Sequence, residues 1–259
     1  MRLLSVLFLF SILCCDLIAL SDEDKGLAIA MDADKKDTGW GDASANMTMI
    51  LKNKQGQESR RSIRIKMLEV LGDGDKSLTV FDSPKDIKGT AFLSHTHSLT
   101  ADDQWLFLPA LKRVKRIASA NKSGPFVGSE FAYEDLTSQE VEKYTYKWLR
   151  DEKTPQAKYF VIEAYPAYQY SGYTKQIVWV DSDMYQPMKI EFYDRKGALL
   201  KTLTYSGMRQ YLSQYWRADR MYMENHQTGK TTELLWNNWA FKTGLVDRDF
   251  EKNTLKRTR

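Results

Sequence analysis

Between Ala43 and Trp239 the sequence keeps returning to one pattern, in which apolar and polar residues alternate. In ASANMTMILK, Ala43, Ala45, Met47, Met49 and Leu51 are apolar, and the residues between them are polar except Ile50. RSIRIKM repeats the pattern, with Ile63, Ile65 and Met67 on one side and Ser62, Arg64 and Lys66 on the other. Successive side chains of a strand point to opposite faces. This period therefore marks strands with one face on a core or cavity and the other in water. The turn NKQGQ joins the two segments into a hairpin. Further strands are expected at Ser77–Phe81, Ile87–Ser94, Gln104–Leu108, Leu111–Ala118, Tyr144–Arg150, Tyr159–Tyr165, Lys175–Asp181, Met188–Asp194, Leu199–Tyr205, Trp216–Glu224 and Thr231–Trp239. Turn signals such as GDGD at 72–75, DRKG at 194–197 and QTG at 227–229 separate many of them. So many antiparallel strands at this spacing predict a mainly β (α+β) chain built on one large curved sheet or open barrel.

Helical signals are few. Asp22–Asp37 reads as a helix capped by Ser21, with Asp22, Glu23 and Asp24 in its first turn and Lys35 and Lys36 in its last, as the helix dipole favours. Leu27, Ala30 and Met31 predict its buried face. A short helix is expected after Thr137, which with Glu140 has the spacing of a capping box. GMRQYLSQYW is a third candidate.

The first residues point to export. A basic start, the apolar run Leu3–Cys14 and the small residues Ala19 and Ser21 predict a signal peptide over 1–21, followed by a single domain over 22–259. Both cysteines, Cys14 and Cys15, lie in that leader, so the mature chain has neither disulfides nor thiolate metal ligands. Lipid anchoring at Cys15 is the weaker expectation, because Ile12-Leu13-Cys14 makes a poor lipidation signal. The net charge of +4 is mild. KRVKR could pass for a nucleic-acid patch, but an exported chain rarely meets nucleic acid, so that partner is excluded.

Catalytic signatures are absent: the chain has no G-x-S-x-G, no P-loop, no G-x-G-x-x-G and no H-E-x-x-H. His95 and His97 would share one side of a strand, yet no third metal ligand is visible beside them, and they read as a solvated loop. Ser129 lacks the spacing of a nucleophile. Glu130, Glu134 and Asp135 read most simply as surface carboxylates. No cofactor is implied. The apolar faces are rich in methionine and tryptophan, including Met47, Met49, Met67, Met188, Met221 and Met223. Methionine adapts to varied apolar ligands, so an exported sheet with few helices is a candidate carrier of apolar molecules.

The stretch DDQWLFLPALKRVKRIASANKSGPFVGSEFAYEDL, with GWGD at 39–42, DIKGTAFL at 86–93, GYTKQIVWVD and YQPMKIEFYD, resembles the outer membrane lipoprotein-sorting protein group of the LolA/LolB-like superfamily. The resemblance spans nearly all of the mature chain. It implies an incomplete antiparallel barrel, a few helices covering its open side, and an apolar cavity between. It implies a non-enzymatic periplasmic carrier that shields the acyl chains of a lipid or lipoprotein and passes them between membranes or to and from an exporter, with an RND-type transporter as a partner. The rival expectation is a periplasmic adaptor of such an export system that binds no lipid.

On this basis the candidates for the cavity are Met47, Met49, Leu51, Ile63, Ile65, Met67, Trp105, Phe107, Phe126, Phe131, Tyr133 and Trp179. Trp105 and Phe107 share one strand face and Leu106 and Leu108 the other, so one pair can line a cavity while the other packs beneath a helix. Lys112, Arg113, Lys115 and Arg116 are candidates for an anionic headgroup, a transient membrane-surface contact or a partner. A solvated strand with paired charges explains them equally well.

Overall fold

Each alternating segment is a strand. The computed structural model describes residues 20–257. Most of the expected leader lies outside them. The strands are β1 (Asp42–Lys52), β2 (Glu58–Leu68), β3 (Lys76–Ser83), β4 (Ala91–His95), β5 (Asp103–Leu108), β6 (Arg113–Ile117), β7 (Tyr144–Lys153), β8 (Lys158–Pro166), β9 (Tyr173–Asp181), β10 (Pro187–Asp194), β11 (Leu199–Tyr211), β12 (Tyr215–Asn225) and β13 (Thr231–Phe241). They form one antiparallel sheet in the order β6-β5-β4-β3-β2-β1-β13-β12-β11-β10-β9-β8-β7. Two meanders, β1 to β6 and β7 to β13, are therefore joined side by side through the β1–β13 pair.

This order leaves β6 and β7 at opposite edges, so the barrel stays open. It also forces the chain between them, residues 118–143, to cross the open side as a strap. The strap measures the curvature of the sheet. The Tyr133 carbonyl accepts a hydrogen bond from Gln104 Nε2 of β5 at 3.1 Å. The next residue, Glu134, accepts one from the Gly172 amide, just ahead of β9, at 2.8 Å. β5 and β9 are nine places apart in the order, about 43 Å on a flat sheet. One short strap can reach both only if the sheet curls around it.

The main core fills the concave side. Met47, Met49, Ile63, Ile65, Phe81 and Phe92 from one meander meet Ile162, Val178, Val180, Phe192 and Leu203 from the other. The strap contributes Phe126 and Phe131, and the Phe126 ring lies 5.9 Å from that of Phe81 and 5.2 Å from that of Phe92. A second cluster lies on the convex face. There Leu78, Val80, Ala91 and Leu93 are covered by Phe250 and Leu255 from the 3-10 turns after β13. β3 and β4 are thus buried on both faces, which is why AFLS in β4 lacks alternation.

The one α-helix among the described residues, α1 (Asp22–Asp37), starts at Ser21, whose Oγ accepts the Asp24 amide hydrogen bond at 3.0 Å. Its buried face differs from the expected one: Gly26 and Ile29 are buried, whereas Leu27 and Met31 are 40% and 56% exposed. Gly26 is the reason. A Cβ there would sit 2.7 Å from the Trp148 backbone nitrogen, so the helix seats on β7 at its one residue without a side chain.

The other two helical expectations are corrected. Thr137 Oγ1 donates to the Glu134 carbonyl rather than capping a helix, and only a single 3-10 turn, Val141–Lys143, follows. GMRQYLSQYW is the end of β11, a turn and the start of β12. Leu212 and Ser213 take φ of 50° and 58°, the left-handed pair that tight hairpin turns use, and Gly207 at φ 67° breaks any helix. Tyr211, Tyr215 and Phe241 then stack across neighbouring strands. β4 begins at Ala91 because Ile87 belongs to the turn before it.

Candidate functional site

The strap fills much of the concave side, bonding to β2 through Arg61 and Val127, to β13 through Thr232 and Glu130, and to β11 through Lys201 and Asp135. The part beneath α1 stays open, as a cavity of about 510 Å³. Alternation sets its floor: Tyr146 of β7, Ile162 of β8, and Val178 and Val180 of β9 all point inward and leave no charge there. Ala30 and Ala33 of α1 form the roof, and the end of the strap around Val141 forms a wall.

The mouth has the opposite chemistry. Asp34 and Asp37 from α1, Glu69, Asp73 and Asp75 from the β2–β3 connection, and Glu140 and Glu142 from the strap all line it, and among the described residues no lysine or arginine does. Asp37 pairs with Arg217 at 2.6 Å. Glu69 receives the Gly39 and Gly41 amides at 2.5 and 2.7 Å, which ties the linker after α1 to the end of β2. Asp75 accepts the Val70 amide at 3.1 Å. Burial, with Glu140, Glu69 and Asp37 adding to it, pushes the Asp75 carboxyl up to about 7. Burial also raises Glu140 and Asp34, and like-charged neighbours reinforce the rise in both.

An aromatic shelf continues from the mouth. Trp40 lines the cavity, and the Arg217 guanidinium lies 5.9 Å from its ring and 6.0 Å from that of Trp239. Trp239 stacks on Trp236 at 5.3 Å. The indole N–H groups of both are shielded from water and have no partner among the described residues.

None of the twelve cavity candidates read from the sequence lines this space. Met47, Met49, Ile63, Ile65, Phe126 and Phe131 are packed in the main core, and Met67 and Tyr133 lie against it. Leu51 borders a separate hollow of about 280 Å³ near the β1–β2 turn. Trp105 and Phe107 belong to the convex cluster under the C-terminal turns, while Leu106 and Leu108 face the concave core. Trp179 is on the convex face too, beneath Lys189 Nζ at 3.3 Å and bonded to Glu152.

Lys112, Arg113, Lys115 and Arg116 are exposed at the β6 edge, away from the cavity lining. Arg116 pairs with Asp103, and the other three have no ion pair among the described residues. Cations on an unpaired edge keep other strands from docking on it. The same short stretch can therefore be oily and basic: β5 packs against a cluster on each face and β6 is the edge.

The polar candidates also move. Glu134 and Asp135 are not surface carboxylates. Asp135 pairs with Lys201 at 2.6 Å, with side chains only 5% and 4% exposed, and Glu134 is buried against Tyr168, Ser171 and Gly172. His95 Nε2 lies 2.8 Å from the Phe250 carbonyl oxygen. His97 faces Asp73 at 2.7 Å and Asp103 at 3.9 Å, and this contact with His97 is the main reason Asp73 is held at about 2. Among the described residues no three His, Cys, Asp or Glu side chains converge as a metal site. The residues missed in the sequence are the mouth carboxylates, whose only signal was GDGD and the acidic ends of α1.

A family model described as an uncharacterized protein matches residues 73–257. No curated protein matches the chain. The crystal structure of an outer membrane lipoprotein-sorting protein domain from Vibrio parahaemolyticus is 61% identical, covers 91% of this chain and 100% of its own, and superposes with a TM-score of 0.89. The chain belongs to the outer membrane lipoprotein-sorting protein family. A DUF1329 family protein from Desulfovibrio piger is 27% identical over 91% of this chain and all of its own, with a TM-score of 0.86. A LolA superfamily protein from Nitrosomonas europaea, 23% identical over 91% of this chain and 99% of its own, shares the fold at a TM-score of 0.70. The half-barrel with its covering helix is thus the fold of this lipoprotein-sorting family and is LolA-like.

Proposed function

We propose that the chain is a periplasmic, non-enzymatic carrier that holds an acyl chain of a lipid or lipoprotein in the cavity beneath α1. The supporting observation is the cavity itself: about 510 Å³, within the range of small-molecule sites, with an apolar floor and a roof that buries only Gly26 and Ile29 of its helix. Each methylene moved there from water gains about 0.8 kcal/mol. Release needs α1 to lift, and few buried contacts resist that. Met47, Met49, Ile63 and Ile65 continue the floor beneath the strap, where a chain could follow only if the strap moved. The name of the Vibrio parahaemolyticus relative speaks of lipoprotein sorting and of no exporter.

Native mass spectrometry of the purified protein, followed by lipid extraction, tests the reading. The expected result is an acylated species at fixed stoichiometry. Replacing Ala33 with tryptophan fills the roof side of the cavity and should lower that occupancy about ten-fold, while changing unfolding free energy by no more than about 1 kcal/mol. An empty protein that takes up no added lipid would sink the carrier and leave the adaptor reading, with the basic β6 edge as its surface.

A further inference from the structure

Resting on that reading, we infer that the polar end of the cargo is cationic: the cavity takes an acyl chain that ends beside an ammonium or guanidinium group and disfavours anionic amphiphiles.

The apolar floor is the part that holds a chain, and it carries no charge to select among chains. Selection falls to the mouth, through which the polar end of any bound amphiphile must emerge. Carboxylates from three separate stretches of chain meet there: Asp34 and Asp37, then Glu69, Asp73 and Asp75, then Glu140 and Glu142. Among the described residues the only basic side chains paired with any of them are Arg217, taken by Asp37, and His97, taken by Asp73. Lys143, next to Glu142 in sequence, is engaged in a buried pair with Asp102, although its charge still opposes the rise of Glu140. The Glu69 carboxylate is held by two backbone amides, which orient it without cancelling its charge.

Burial, and then acidic neighbours, raise four of these groups, Asp34, Asp37, Asp75 and Glu140. Asp34 feels Glu142 and Glu69, Asp75 feels Glu140, Glu69 and Asp37, and Glu140 feels Asp34 and Glu142. Like charges gathered around an enclosed apolar space are costly in the empty protein, and a cation placed among them relieves that cost. A phosphate or carboxylate headgroup would add to it. The basic residues that would suit a phosphate lie on the β6 edge instead, outside the cavity lining. Two sources present this chemistry: a small amino-lipid, and a lipidated peptide with lysine next to its acylated residue.

Probes of equal chain length separate the terms. Tetradecylamine, tetradecanoic acid and monomyristin are titrated against the purified protein at low salt, below their micelle concentrations. The amine should bind about ten-fold more tightly than the acid, with the neutral glyceride between them. The preference should shrink as salt is raised. It should fall to about three-fold or less when Asp34→Asn and Glu142→Gln are combined, both being exposed residues with no ion pair among the described residues. Far-UV circular dichroism and the urea midpoint of that variant should match those of the parent, which shows that it is folded.

Myristoyl-Gly-Lys-Lys-amide set against myristoyl-Gly-Ser-Ser-amide separates the sources. A lysine peptide that binds more tightly than the amine assigns a lipidated peptide, and the reverse assigns an amino-lipid. Equal or tighter binding of the acid overturns the inference and leaves the acyl carrier standing. Binding of none of the probes overturns both.

Discussion

The concave side is closed in two ways, and the contrast separates what is built to stay from what is built to move. Under the strap, closure is dense and its polar groups are satisfied. Phe126 and Phe131 are fully buried, Lys201 meets Asp135, and Asp102 meets both Lys122 and Lys143 with side chains no more than 10% exposed. Under α1, closure is thin. Two buried residues, one of them glycine, seat the helix; of its three ion pairs among the described residues, Lys25–Asp151 and Lys147–Glu23 are well exposed, and Asp37–Arg217, at its last residue, is partly buried. Exposed pairs contribute little. The strap is part of the core, and the helix is a cover.

The largest expected effect strikes the strap. Lys201→Met leaves the Asp135 carboxylate buried without its cation and should cost about 3–5 kcal/mol in urea unfolding, with all probes reporting one transition. Adding Asp135→Asn should restore part of that loss. If Lys201→Met costs less than about 1 kcal/mol, the strap is not the anchored element described here.

Next comes Asp75, at the boundary between the two closures. Its folded carboxyl titrates near 7, above its ordinary 3.8. The native state therefore holds this proton after the unfolded state has lost it. The associated stability is fully present below 3.8, declines between 3.8 and about 7, and is gone above. Asp75→Asn keeps an acceptor for the Val70 amide and should be nearly neutral at pH 4, yet stabilise by up to about 4 kcal/mol at pH 8. Equal effects at both pH values would show that burial and the facing Glu140, Glu69 and Asp37 do not set its proton affinity.

The smallest global effect belongs to the cover. Gly26→Ala places a Cβ against the backbone of Lys147 and Trp148 and should lift the helix from β7. Amide exchange across Asp22–Asp37 should rise about ten-fold or more, while global unfolding shifts by less than about 1 kcal/mol. A matching loss of global stability would instead make α1 part of the core and erase the contrast.

Much of the fold was legible because its signals are local. Pleating fixes a period of two, so Met47 to Leu51 and Ile63 to Met67 revealed their strands with no knowledge of neighbours, and Ser21 with Asp22 to Asp24 announced α1. Alternation says that two faces differ, however, and not which one turns inward. Trp105 and Phe107 could not be told from Leu106 and Leu108 until the C-terminal turns covered one face and the strap the other. Glu134 and Asp135 looked like surface groups because Lys201 and Gly172, their partners, are distant in sequence.

The site was the least legible part. Its carboxylates come from α1, from the β2–β3 turn and from the end of the strap, and each alone is an ordinary solvated charge. The sequence by itself determined the strands, their hairpin connections and the helix. Only the tertiary structure decided that β6 and β7 would be opposite edges, that the strap must cross between them, and that an apolar cavity with an acidic mouth would remain beside it. The reason is physical: strand formation is set by neighbours along the chain, whereas edge, inward face and field are properties of groups brought together from afar.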